Sequence, residues 1–232
     1  MTEKEIRILW EKELAFFGVV TASLSHEINN VVAIVGELTG LLDDLLSASE
    51  QGRPLNSEKL KGLSSRLSKQ VDKGKIIIKR LNRFAHSVDD PVKQVNLGEL
   101  LFLISAIAER FAFLKGICIK TEFDSADSVT VETDPFALQQ AVFTCIQLAL
   151  STAGSNAVIN IGLKPEASEI RIFVAGAPVA DAADINEKRE VLSILMKELG
   201  GRFEIKPAHN TEHSIALFIP RSLAGGRGRI TP

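Results

Sequence analysis

The sequence predicts an α+β chain in two parts. An N-terminal antiparallel helical hairpin, residues 1–90, is expected to form a four-helix bundle as a dimer, and residues 95–220 are expected to form an α/β sandwich. Three observations carry this prediction. Two long segments hold apolar rows at heptad spacing, Asp89-Asp90-Pro91 breaks the pattern, and short alternating segments then interleave with helical ones.

In the first segment one heptad row is Leu14, Thr21, Ile28, Val35 and Leu42, and its partner row is Trp10, Phe17, Leu24, Val31, Leu38 and Leu45. Such spacing marks a helix that buries one stripe. It is expected to run from about Thr2 to Ser49 and to end at Gln51-Gly52-Arg53-Pro54. Asn56 or Ser57 caps a second helix with rows Leu60, Leu67, Leu81 and Leu63, Ile77, Phe84. Gln70 and Gly74 interrupt these rows, marking either a loose level or a close helix approach. Two helices with one stripe each bury themselves best as a homodimeric bundle.

Beyond the break, residues 95–113 read as helix, and residues 117–123 and 129–133 alternate as strands. Asp134-Pro135 starts a helix to about Ser151, proline being favoured in a first helical turn. Strands follow at 158–163, 169–174, 202–206 and 214–219, and a helix at 186–199 stops at Gly200-Gly201. This order predicts a two-layer sandwich with its helices on one face.

Composition excludes several classes. A net charge of −2 gives no electrostatic case for nucleic acid. No apolar run approaches the roughly 20 residues of a membrane span. Met1-Thr2-Glu3-Lys4-Glu5 lacks a signal-peptide pattern, so a cytoplasmic protein is expected. Cys118 and Cys145 lack metal-ligand spacing and read as buried free thiols. Arg221, Arg227 and Arg229 lie in a glycine-rich tail, residues 221–232, expected to be disordered.

Within the first helix, His26 falls on the position farthest from the seam, with Glu27 beside it and Asn30 one turn on. An isolated surface histidine is usually only solvated. Here, however, Ser23-Leu24-Ser25-His26-Glu27-Ile28-Asn29-Asn30 closely resembles the H-box of the dimerization and phosphoacceptor domain of two-component sensor histidine kinases. The resemblance implies that His26 is the phosphoacceptor and that receiver domains of response regulators are its partners. Glu27 would orient the imidazole and stabilise the cation formed in transfer. Asn30 matches the family's amide position, which can orient water against an acyl phosphate. Val31 departs from the family pattern, in which proline is frequent, so the helix should run straighter there. His86 is a competing acceptor, but Ala85-His86-Ser87-Val88 lacks the acid and amide pattern.

The second part resembles the family's ATP-binding domain, of Bergerat type, over most of residues 95–220. The resemblance rests on Thr133-Asp134-Pro135-Phe136-Ala137-Leu138-Gln139-Gln140, Leu199-Gly200-Gly201-Arg202-Phe203 and Ile215-Ala216-Leu217-Phe218-Ile219-Pro220. Its chemical residues are absent. The two asparagines used near phosphates and Mg²⁺ fall on Thr144 and Leu148, and leucine cannot ligate a hard cation. Gly176 stands at the adenine-binding acid, and Asn186-Glu187-Lys188-Arg189-Glu190 replaces the phosphate-binding glycines. The segment for a lid loop is too short. Asp181 and Asp184 could be imagined as stand-in metal ligands, but a solvated loop and a helix cap are the plainer reading.

The sequence thus predicts a histidine phosphotransfer protein that exchanges a phosphoryl group between His26 and receiver aspartates. It would need no ATP or cofactor of its own, with Mg²⁺ held in the partner receiver. The alternatives are a divergent ATP-dependent histidine kinase, and a non-catalytic regulator or a phosphatase of a response regulator.

Overall fold

The computed structural model describes residues 1–123, 129–176, 183–206 and 215–222. Its contacts divide the chain into two compact units, Val19–Ala85, and Met1–Gly18 together with the chain from His86 onward. The division falls inside the first helix, α1 (Glu3–Glu50), whereas the sequence reading gave all of residues 1–90 to the hairpin.

In the hairpin unit α1 is followed by α2 (Ser57–Ala85). At the end of α1 the Gly52 N–H bonds to the Ser49 carbonyl at 2.9 Å, with Gly52 at φ 87°, a conformation glycine adopts without steric cost. Asn56 Oδ1 then accepts the backbone N–H groups of Glu58 and Lys59 at 3.0 and 3.1 Å, which satisfies two otherwise orphaned donors. Leu24, Val31 and Leu38 are buried in this unit, as are Leu63, Ile77 and Phe84 of α2. These are the residues that heptad spacing selects. The companion row, Thr21, Ile28, Val35 and Leu42, is only half-buried.

The structure resolves the Gly74 ambiguity in favour of close approach. A Cβ built on Gly74 would lie 3.4 Å from Val31 Cγ1, in van der Waals contact. The nearby Gln70 carboxamide has a buried Oε1 without a hydrogen-bond partner among the described residues. The helix packs tightly at Gly74, and the polar defect lies one turn away.

In the other unit a 3₁₀ turn, His86–Val88, leads to β1 (Lys93–Asn96), α3 (Leu97–Phe113), β2 (Cys118–Thr121) and β3 (Thr130–Thr133). Then come α4 (Pro135–Thr152), β4 (Val158–Pro165), β5 (Glu169–Ala175), α5 (Ala183–Glu198), β6 (Arg202–Ile205) and β7 (Ile215–Pro220). Five strands form one sheet in the order β2-β4-β5-β7-β6, with β2 parallel to β4 and the other pairs antiparallel. Helices α3, α4 and α5 make the second layer. The expected helical hairpin followed by an α/β unit is the observed architecture.

One expected element differs. Val95 and Asn96 belong to β1, which pairs with β3 through Val95 opposite Val131, instead of starting the helix. The helix begins after Asn96, whose Oδ1 accepts the Glu99 N–H at 3.0 Å. Asp134 caps α4 in the same way, accepting from Phe136 at 2.8 Å and Ala137 at 3.0 Å.

The reading of both cysteines as buried also needs correction. Cys145 is buried in α4, but Cys118 is exposed because it starts the edge strand β2, whose side chains alternate between exposed and half-buried. Among the described residues no helix is long and apolar enough to cross a membrane. Asp181, Ser214 and the tail arginines Arg227 and Arg229 lie outside the described residues.

Candidate functional site

The rotation of α1 is set by what it buries. With about 100° per residue, fixing Leu24 and Val31 inward turns His26, about 200° beyond Leu24, away from the buried stripe. His26 is accordingly exposed, as are Ser25, Asn29 and Asn30, while Glu27 and Ile28 are half-buried. The helix therefore presents an imidazole and an amide to solvent, one turn apart, above a packed stripe. No hydrogen bond joins His26, Glu27 and Asn30 in this structure. The site is open, without an internal network that a docking protein would first have to break.

Gly74 lies across from Val31, the position at which the sequence departs from the family's proline. Valine keeps the backbone N–H that proline would lack, and α1 runs unbroken from Glu3 to Glu50.

The second histidine reveals a partner that its immediate neighbours did not suggest. His86 Nδ1 lies 2.7 Å from Asp89 Oδ2, three residues on, with both side chains exposed. The signal missed in the sequence was the 3₁₀ turn over residues 86–88, which brings positions i and i+3 together. His209 and His213 lie outside the described residues.

In the α/β unit the positions expected to serve a nucleotide do other work. The Thr144 hydroxyl donates to the Gln140 carbonyl at 2.8 Å, and Leu148 is 0% exposed. Gln139 and Gln140 are buried, each with an Oε1 that has no partner among the described residues. Gly176 adopts φ 99°, and a Cβ there would collide with the Val158 carbonyl of β4. This backbone admits no side chain without moving the strand pair, so no acid could be carried there in the present conformation. Glu187 and Glu190 of α5 are paired with Lys12 and Lys4 of α1. Asp184 lies in the first turn of α5. Among the described residues no group of three or more His, Cys, Asp or Glu side chains is placed to hold a metal ion.

Comparison with known proteins bears on these features. No family model matches the chain. Sporulation kinase A of Bacillus subtilis (strain 168) is 26% identical over 173 residues, which cover 74% of this chain and 27% of that protein. The chain thus spans about a quarter of the length of that curated relative. Among solved structures, a histidine kinase from Burkholderia phymatum STM815 is 15% identical with a TM-score of 0.49, covering 96% of this chain and 100% of the other. Acinetobacter baumannii histidine kinase AdeS is 13% identical with a TM-score of 0.46, covering 84% and 98%. The catalytic domain of histidine kinase ThkA is 23% identical with a TM-score of 0.44, covering 56% and 96%. The chain is thus similar in sequence to a kinase, and its helical hairpin followed by an α/β unit is the element order expected from the resemblance to histidine kinases.

Proposed function

We propose that this chain is a cytoplasmic histidine phosphotransfer protein, which takes a phosphoryl group from a receiver-domain aspartate onto His26 and passes it to another. A ring nitrogen of His26 attacks phosphorus, the N–P bond forms, and the acyl-phosphate P–O bond breaks to return a free carboxylate on the donor. The imidazole carries the positive charge until the next transfer, and Glu27, the next residue along the helix, is the carboxylate that would orient and stabilise it. Asn30, exposed one turn on, would face a docked receiver and could orient water for hydrolysis. Mg²⁺ belongs to the receiver in this scheme.

The observation that carries the reading is the state of the nucleotide positions in α4 and after β5. Leu148 offers no oxygen to a cation, the Thr144 hydroxyl is spent on its own helix, and Gly176 has no room for an acid. These features support a phosphoryl source other than ATP. The kinase relative keeps an ATP-dependent activity as the alternative.

In this reading the chain acts as a homodimer. Val32, Leu41 and Leu46 of α1 and Val71, Ile76 and Ile78 of α2 are exposed, and the Ile28–Val35–Leu42 row is half-covered. A second copy completing a four-helix bundle is the occupant that heptad spacing specifies.

The test is phosphotransfer with purified full-length chain and candidate receivers bearing radiolabelled phosphate. Label should appear on wild type and not on His26→Ala. Equal labelling of His26→Ala would overturn the assignment of the residue. Autophosphorylation with Mg-ATP alone would replace the relay by a kinase.

A further inference from the structure

The opening turns of α1 pack against the α/β unit. Phe16 is buried, its ring centroid 5.4 Å from that of Phe136 and 5.3 Å from that of Phe143, both on α4. Phe111 of α3 meets Phe143 edge-on at 5.7 Å, which extends the aromatic cluster. Leu9 is buried as well. Around these apolar contacts stand charge pairs with α5: Lys4 Nζ to Glu190 Oε1 at 3.6 Å, Lys12 with Glu187, and Lys197 Nζ to Glu5 Oε1 at 3.3 Å.

Glu187 and Glu190 lie in the segment that replaces the phosphate-binding glycines, and the ion pairs give them a positive role there: they hold α1. The paired side chains are largely exposed, so their attraction is modest and is screened by salt. The compact unit that holds these contacts includes α1 as far as Gly18. Glycine is the weakest ordinary helix former, so Gly18 lowers the cost of bending α1 at that boundary.

We propose that residues 3–17 form a detachable strap, seated on α4 and α5 by Phe16 and by the lysine–glutamate pairs, and hinged at Gly18. Release uncovers Phe136, Phe143 and the acidic side of α5. This inference does not depend on the phosphotransfer reading.

Trp10, the one tryptophan of the sequence, lies in the strap and reports on it without a label. The experiment uses the full chain as wild type, Lys12→Glu, the reversed pair Lys12→Glu/Glu187→Lys, and Phe16→Ala. It reads acrylamide quenching of Trp10 and amide hydrogen exchange at low and high salt. Lys12→Glu and Phe16→Ala should each raise exchange in residues 3–17 and in α5 by at least about fivefold, while β5 and β7 keep wild-type protection. High salt should move wild type in the same direction, and the reversed pair should restore protection. Wild-type quenching and exchange in both single variants would overturn the proposal. Loss of protection in β5 and β7 together with the strap would also overturn it, by making the segment part of the core.

Discussion

Replacing Gly176 by aspartate puts an acid where the resemblance to histidine kinases would place the one that binds adenine, and the structure predicts that the replacement fails. The residue sits at φ 99°, where an L side chain is strained by on the order of 1–2 kcal/mol. Its Cβ would also run into the Val158 carbonyl, and backbone cannot swing aside as a side chain can. Forcing β4 and β5 apart adds about 1–3 kcal/mol by analogy with overpacked cores. The sum is roughly 2–5 kcal/mol, and at about 2–4 °C per kcal/mol for a domain of this size, Tm should fall by about 4–20 °C. Thermal unfolding with and without Mg-ATP is the assay. A variant with unchanged Tm that ATP then stabilises would refute the reasoning. It would mean that the backbone readily adopts a nucleotide-binding shape.

Other predictions follow from the same contacts. Phe84→Ala empties a fully buried position in the hairpin and should cost about 3–5 kcal/mol, seen as loss of hydrogen-exchange protection across residues 57–85. Gly74→Ala meets Val31 at ordinary contact distance and removes a helix-weakening glycine, so it should raise stability by about 0.5–1 kcal/mol in denaturant unfolding, whereas Gly74→Leu should lower it. Glu5 accepts the Thr2 backbone N–H and faces Lys197, and these interactions hold its carboxyl below the ordinary glutamate value. A lowered carboxylate pKa means that the stabilisation is present above about pH 4.5 and is lost as pH falls through the folded value. Exchange in the first turns of α1 should rise there, and Glu5→Gln should abolish that pH dependence.

Much of the fold was legible because it follows from local chemistry. Heptad spacing selected Leu24, Val31 and Leu38, and Asn56 and Asp134 announced the helices that they cap. β1 was missed because its pairing with β3 is a long-range event, and a short segment running into an apolar helix carries no alternating signal of its own. The exposure of Cys118 was missed for a related reason: an apolar neighbourhood in sequence does not say that a strand lies at a sheet edge. At the candidate site, the outward direction of His26 could be worked out from periodicity, because α1 buries one stripe. The close approach at Gly74 could not, since glycine is compatible with both a gap and a contact. Nor could the sequence show what occupies α4 and α5. The heptad row assigned Trp10 and Leu14 to a helical seam, yet Trp10 is 48% and Leu14 75% exposed, while Phe16, off that row, is buried. The start of α1 follows the α/β unit's demands, which no helical period encodes.

The two cysteines differ in a way that chemistry can use. Burial in α4 pushes the Cys145 thiol well above its ordinary range, so almost no thiolate exists at neutral pH, and the surrounding helix layer keeps reagents away. Cys118 stands exposed at the sheet edge. A maleimide dye should therefore attach at one place in the native protein without any engineered mutation. A second equivalent should be taken up only when α4 lifts from the sheet, so the stoichiometry of alkylation counts opening events in the α/β unit.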